Sequence, residues 1–209
     1  MKYKFNEKEL LNLFIDAKTG FPQYAKPFLK DEYVYATDAN KLIRIKADAL
    51  NGQYKSDKVK WSWSIPNDNC DFPITQTELE KALACVPQQK EVITVDCPEC
   101  DGSGMVFGEY IDKKGEIHEI EAECPICDGS GNEEKETGKI IPSPSAAITI
   151  GDFKLRASNI QILLEAMKII GVTEVRITSQ TDNRIVLRID ENISIMMTIL
   201  SDNTHDFVI

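Results

Sequence analysis

Apolar and polar positions recur along this chain at two periods. "FNEKELLNLFIDA" from Phe5 and "ASNIQILLEAMKI" from Ala157 place apolar residues three and four positions apart, at Leu10, Leu11 and Phe14 and at Leu163, Leu164 and Met167. That spacing lines one face of a helix. Asn6, and Ser158 or Asn159, are suited to cap the amino ends of the two helices. Each helix is preceded by a short strand-like run, "KYKF" in one case and "FKLR" in the other. Three more runs follow each: "PFLK", "EYVYAT" and "KLIRIKA" after the first, "EVRITS", "RIVLRI" and "ISIMMTIL" after the second. Asp38-Ala39-Asn40 and Thr181-Asp182-Asn183 supply turn chemistry between strands.

Laid on one another, the two halves match Asn6 with Asn159, Leu10 and Leu11 with Leu163 and Leu164, and Phe14 with Met167. Each half therefore reads β-α-β-β-β. A pair of such units predicts an α+β domain with an antiparallel sheet and helices on one side. Between them, "TQTELEKALACV" from Thr75 reads as a helix, with Cys85 as a small buried residue. This helix would open another helix–strand unit whose sheet is interrupted and then resumed at "SAAITI". "NGQYKSDKVK" reads as a loop, and "NEEKETGKIIPSPS" has the polar, proline- and serine-bearing composition of a linker. Trp61, Trp63 and Ile65 share one face of an alternating run, which suits core packing or contact with a partner.

The interruption carries the chemistry. "CPECDGSG" begins at Cys97 and "CPICDGSG" at Cys124. A CxxC turn brings two thiolates to one metal, and zinc takes four soft ligands in a tetrahedron. Cys97, Cys100, Cys124 and Cys127 supply that set, which predicts one structural Zn²⁺. Gly102, Gly104, Gly129 and Gly131 permit the positive backbone angles of tight turns. Between the units, "MVFGEYIDKKGEIHEIEAE" reads as a β-hairpin turning at Asp112-Lys113-Lys114-Gly115. A lone hairpin is marginal in water, so the metal is expected to hold it. His118 lies inside the hairpin, but four cysteines already fill the coordination sphere.

The two eight-residue units resemble the CxxCxGxG repeat of the DnaJ-type (heat-shock protein 40) cysteine-rich domain. That family carries four units, whereas this chain has two and lacks a His-Pro-Asp tripeptide. The resemblance implies a one-zinc form of the module that contacts another protein.

A second resemblance concerns the flanks. The duplicated β-α-β-β-β unit is similar to the building block of DNA polymerase sliding clamps. "DEYVYATDANKLIRIKA", with Ala36, Thr37 and Asp38 closing a strand, looks like a clamp segment, as do "FKLRASNIQILLEAMKIIGVTEVRIT" and the closing "RIVLRID" and "ISIMMTIL". The fold implied is a duplicated β-α-β-β-β clamp-like domain with an inserted zinc-binding β-hairpin. Residues 1–96 would form its first part, 97–131 the zinc hairpin, 132–149 a linker and returning strand, and 150–209 the second part. Ring closure from so short a chain would need a homo-oligomer.

Charge restricts the partners. The formal net charge is -10. Residues 97–131 hold nine Asp and Glu against two Lys, and four thiolates on Zn²⁺ add two negative charges. Nucleic-acid affinity rests mainly on cations, so DNA contact is not favoured, although a basic strip on the helical face would permit it. The start, "MKYKFNEKEL", has no signal-like apolar stretch, and no run approaches the ~18 apolar residues of a membrane span. A cytoplasmic protein without membrane contact is expected.

No nucleophile–histidine pairing, phosphate-cradling loop or H-E-x-x-H occurs, and a Cys₄ zinc has no open position for a substrate. The chain reads as non-enzymatic. Three readings fit. The first is a clamp-like accessory factor of DNA metabolism that acts through protein contacts and, given a basic strip, through DNA. The second is a zinc-dependent, chaperone-type protein-binding adaptor without nucleic-acid contact, and the third is a metal-stapled projection that only stabilises the fold.

Overall fold

The structure is a computed structural model of the 209-residue chain. It describes residues 2–56, 65–181, 183–200 and 206–208. Two compact units emerge: a body of residues 1–87 and 142–209, and a second unit of residues 88–141.

In the body, α1 (Glu7–Asn12) and the single turn α2 (Pro22–Ala25) precede β1 (Phe28–Lys30), β2 (Tyr33–Thr37) and β3 (Lys41–Lys46). β4 (Phe72–Thr75) leads into α3 (Gln76–Cys85). In the second unit lie β5 (Gln88–Asp96), β6 (Met105–Ile111), β7 (Ile117–Glu123) and β8, which spans Asn132–Pro142. The body resumes with β9 (Ala147–Ile150), β10 (Phe153–Arg156), α4 (Ala157–Ile170), β11 (Glu174–Thr181), β12 (Arg184–Arg188), β13 (Ile193–Thr198) and β14 (Asp206–Val208).

One seven-stranded sheet, ordered β1-β2-β3-β13-β12-β11-β4, forms the frame of the body. Two antiparallel meanders meet at its centre, where β3 pairs with β13 and Ile43 faces Ile195. The two halves of the internal repeat thus lie side by side. On the face of the sheet toward the helices, Val34, Ile43, Ile45, Ile177, Ile185 and Ile195 pack with Leu10, Leu79 and Leu163 from the three longer helices. α4 packs against both α1 and α3. α1 has six residues, far below the ~12–15 at which isolated helices become even marginal. Its stability comes from fully buried Leu10 and Leu11, each worth about 1.5–3 kcal/mol.

Local signals act where the sequence placed some of them. Asn6 caps α1 by accepting the Glu9 N–H at 3.3 Å. Thr75 and Glu78 form a reciprocal capping box on α3. At the β2–β3 turn, Ala39 takes φ 77° while Asp38 Oδ1 accepts the N–H groups of Asn40 and Lys41, both at 2.9 Å.

Several expectations are corrected. α1 is half the expected length, because Leu13 closes it and the chain turns to lay Asp16 N–H on the Tyr24 carbonyl. "KYKF" forms no strand: Tyr3 N–H donates to the Ala49 carbonyl, and the Tyr3 and Phe5 rings stack on each other. The first half therefore lacks its opening strand. The second half has it as β10, which pairs with β9 and not with the meander, in a three-stranded sheet ordered β10-β9-β14. α4 starts at Ala157 with no side-chain cap, and Asn159 is buried within it. Cys85 is exposed, because the buried stripe of α3 runs through Leu79, Ala82 and Leu83 and leaves position 85 on the other face. Residues 132–142 are strand and not linker. Trp61, Trp63, Asp182 and His205 lie outside the described residues, whereas Ile65 packs against Leu42, Val186 and Met196 on the outer face of the sheet. No described helix is long and apolar enough to cross a membrane.

Candidate metal centre and the hairpin it closes

Two antiparallel ribbons make up the second unit. β5 pairs with β8, supported across the ribbon by Lys90–Glu136 at 2.9 Å and by the Thr137 hydroxyl on the Glu91 carboxylate. β6 pairs with β7 from Met105↔Glu123 to Ile111↔Ile117. At the tip, Asp112 Oδ1 accepts the N–H groups of Lys114 and Glu116, and Gly115 takes φ 86°.

The two repeats fold as near copies and clasp each other. In each, the first cysteine's carbonyl accepts from the first glycine (Gly102 N–H on Cys97, Gly129 N–H on Cys124, both 3.2 Å). The final glycine donates to the second sulfur of its own repeat, Gly104 to Cys100 Sγ at 3.3 Å and Gly131 to Cys127 Sγ at 3.2 Å. The clasp is reciprocal: Cys97 N–H donates to the Gly131 carbonyl and Cys124 N–H to the Gly104 carbonyl, each at 2.8 Å.

The last glycine of each repeat is required by space as well as by angle. A Cβ on Gly104 would lie 2.3 Å from the Gly129 carbonyl oxygen, and one on Gly131 would lie 2.3 Å from that of Gly102. In the sequence these glycines stand out for the positive φ of a tight turn, which is 78° at Gly104 and 74° at Gly131. The mutual approach of the two turns escapes a sequence reading. Its only written signal is that both repeats end in the same Ser-Gly.

All four sulfurs are buried, and the four lie within 4.8 Å of one another. Cys97 and Cys124 Sγ are 3.9 Å apart, and Cys100 and Cys127 Sγ are 3.8 Å apart. A tetrahedral ion with bonds of about 2.3 Å to sulfur needs an edge of about 3.8 Å. The quartet thus has the spacing and donor chemistry to hold a metal ion. Val106 is its apolar neighbour, and Glu133 Oε1 lies 3.8 Å from Cys97 Sγ. Burial pushes the Cys97 thiol well up. Burial also raises Cys100, but the Gly104 N–H and the neighbouring thiols outweigh it and bring that group down to about 7. Ligation needs thiolates, so a metal entering this site displaces protons.

His118 is not among these ligands. It stacks on Tyr110, with its Nε2 3.5 Å from an Asp112 oxygen, at the exposed hairpin tip. Cys70 is partly buried, with its sulfur 3.8 Å from the Ile177 carbonyl oxygen.

Among the described residues, ten large apolar side chains are exposed, and all but Phe21 belong to residues 88–141. The β6–β7 register puts Phe107, Ile111 and Ile117 on one face with Glu109, Glu119, Glu121 and Glu123. Phe107 is 78% exposed, Ile111 69% and Ile117 65%. The helices of the body show no cationic surplus: α1 carries Glu7, Lys8 and Glu9, α3 carries Glu78, Glu80 and Lys81, and α4 carries Glu165 and Lys168.

No protein-family model matches the chain, and no curated protein matches it in sequence. Among the solved structures that align with the chain are bacterial clamps. The DNA polymerase III beta chain of Streptococcus pneumoniae aligns with a TM-score of 0.47 and 10% identity, over 94% of this chain and 63% of that one. The sliding clamp of Bacillus subtilis gives 0.44 and 10%, over 95% and 62%. The Helicobacter pylori beta clamp, solved with a DNA ligase peptide, gives 0.45 and 12%, over 93% and 62%. The chain spans less than two thirds of the length of these proteins. A likeness of this degree carries no function with it.

Proposed function

We propose that the protein is a non-enzymatic accessory factor that works by contacting another protein, and that its contacting part is the hairpin closed by one structural zinc on Cys97, Cys100, Cys124 and Cys127. The observation that carries this reading is the concentration of exposed apolar side chains on residues 88–141. A two-stranded ribbon with Phe107, Ile111 and Ile117 in water has no core of its own to bury them, and exposed apolar patches of this kind mark contact surfaces. The flanking glutamates favour a partner with cationic groups around an apolar groove. Zinc supplies closure here: with four sulfur ligands it has no open position, so its chemistry is to fix two turns. The chain's own residues do the rest, the glycines by permitting the clasp and β6–β7 by presenting the face.

Deletion of residues 105–123 with both cysteine pairs kept tests this reading. Binding to the partner in pull-down should be lost, with the melting temperature of the body within a few degrees of wild type. Undiminished binding overturns the assignment of the contact to the hairpin.

A second reading, a clamp-like accessory role in DNA metabolism, is supported by the side-by-side placement of the two repeat halves across β3 and β13. The acidic surplus of the described helices gives it no cationic surface for a duplex on that side. Binding of linear duplex at moderate salt, measured by anisotropy, tests it, and the absence of binding counts against it.

A further inference from the structure

Five arginines occur in this acidic chain. β-pairing aligns three of them in one cross-strand row on the face of the large sheet opposite the helices. Tyr35 faces Arg44, Arg44 faces Ser194, Ser194 faces Arg188, and Arg188 faces Arg176. Neighbouring strands lie about 4.8 Å apart, so Arg44 and Arg188 stand one strand to either side of Ser194, with Arg176 one strand beyond. These residues line a cleft of about 440 Å³ together with Ile189, Asp190 and Glu191.

The polar groups of the cleft are prepared for an acceptor. Ser194 is only 6% exposed. Arg44 Nε is buried with no hydrogen-bond partner, while the rest of its guanidinium engages the Tyr35 side chain and reaches Ser194 Oγ at 3.5 Å. The Arg44 guanidinium lies 4.5 Å from the centre of the Tyr33 ring, which helps hold its plane in place. Arg188 and Arg176 are engaged by Asp68 and Asp71, each at 2.7 Å, through pairs that are about half exposed and therefore weakly held. Of the two acids in the cleft wall, Asp190 is committed elsewhere: it accepts from the Tyr3 hydroxyl and from the N–H groups of Asn192 and Ile193.

We infer that this cleft is an oxyanion site that takes a phosphate group, with Arg44 and Arg188 as a two-sided clamp over the Ser194 hydroxyl. Guanidinium forks match phosphate oxygens in pairs, and Asp68 and Asp71 hold the outer arginines until a phosphate displaces them. The site belongs to the body and is independent of the zinc-closed hairpin.

Titration calorimetry of the 209-residue, zinc-loaded chain with inorganic phosphate and pyrophosphate, beside anisotropy with a short single-stranded oligonucleotide, separates a free anion from a nucleic-acid backbone as the source of the group. Saturable binding of at least one of these probes is expected. Arg44→Ala and Arg188→Ala should each weaken it at least tenfold, Asp68→Asn/Asp71→Asn should tighten it, and Arg156→Ala, on β10, should leave it within twofold. If Arg44→Ala does not fold, Arg44→Lys keeps the charge without the fork and should still weaken binding several-fold. Absence of binding by all three probes at millimolar concentration, or equal weakening by Arg156→Ala and the cleft variants, overturns the inference.

Discussion

Replacing Gly131 by alanine isolates what the clasp between the two cysteine turns contributes. The backbone there sits at φ 74°, and an L-residue in that region costs about 1–2 kcal/mol. The new Cβ would also lie 2.3 Å from the Gly102 carbonyl oxygen and 3.0 Å from its carbon. Backbone must move to clear that contact. The movement stretches the Gly131 N–H bond to Cys127 Sγ at 3.2 Å and the Cys97 N–H bond to the Gly131 carbonyl at 2.8 Å. Loosening a hydrogen bond to a thiolate removes about 1.5–3 kcal/mol. The two effects together make about 3–5 kcal/mol, and at about 1.4 kcal/mol per tenfold the affinity for the proposed zinc should fall by roughly two to four orders of magnitude. Gly138→Ala is the matched control, because φ is 78° there and nothing lies within 4 Å of the added carbon. It carries the angle cost in an exposed strand without the collision. Competition against a chromogenic zinc chelator, with metal content checked by mass spectrometry, measures both variants on one scale. If Gly131→Ala and Gly138→Ala bind zinc within threefold of each other, the argument that backbone approach specifies this glycine is wrong.

Other expectations concern the body. Burial raises the Glu7 carboxyl, but the N–H groups of Asn51 and Gly52 and the Tyr54 hydroxyl outweigh it and hold the group below its ordinary 4.5. A carboxyl lowered on folding adds stability that is present above its unfolded value and is lost as pH falls through the folded one. Glu7→Gln should therefore cost about 1 kcal/mol at neutral pH and should flatten the loss of stability below pH 4.5, as read from urea midpoints across pH; an unchanged acid limb counts against the contact. Leu163 is fully buried where α4 faces the sheet, so Leu163→Ala should lower the stability of the body by about 2–5 kcal/mol in thermal melts. Metal content should stay at the wild-type value, and a loss of metal on that substitution would show that the proposed site depends on the core of the body.

The elements written in local chemistry are legible in the chain by itself. Each cysteine turn needs only eight consecutive residues and the Asn6 cap of α1 acts over three, so the chain by itself points to which sulfurs can meet and where that helix begins, whereas the cap expected for α4 at Ser158 or Asn159 does not form. The strand runs and the two-fold repeat are equally plain, because alternation and helical spacing are properties of neighbouring residues. Pairing between distant strands is not such a property. That β3 lies against β13, that β10 leaves the meander for a separate small sheet, and that "KYKF" forms no strand were decided by which backbone groups found partners at long range along the chain. The polar run after Cys127 reads as linker by composition, yet it is strand because β5 offers it a ladder. The arginine row exists only in the register of the sheet, since Arg44, Arg176 and Arg188 carry no motif in the chain. Local sequence sets what each segment can be; long-range hydrogen bonding and burial decide which segments meet, and with them which side chains share a surface.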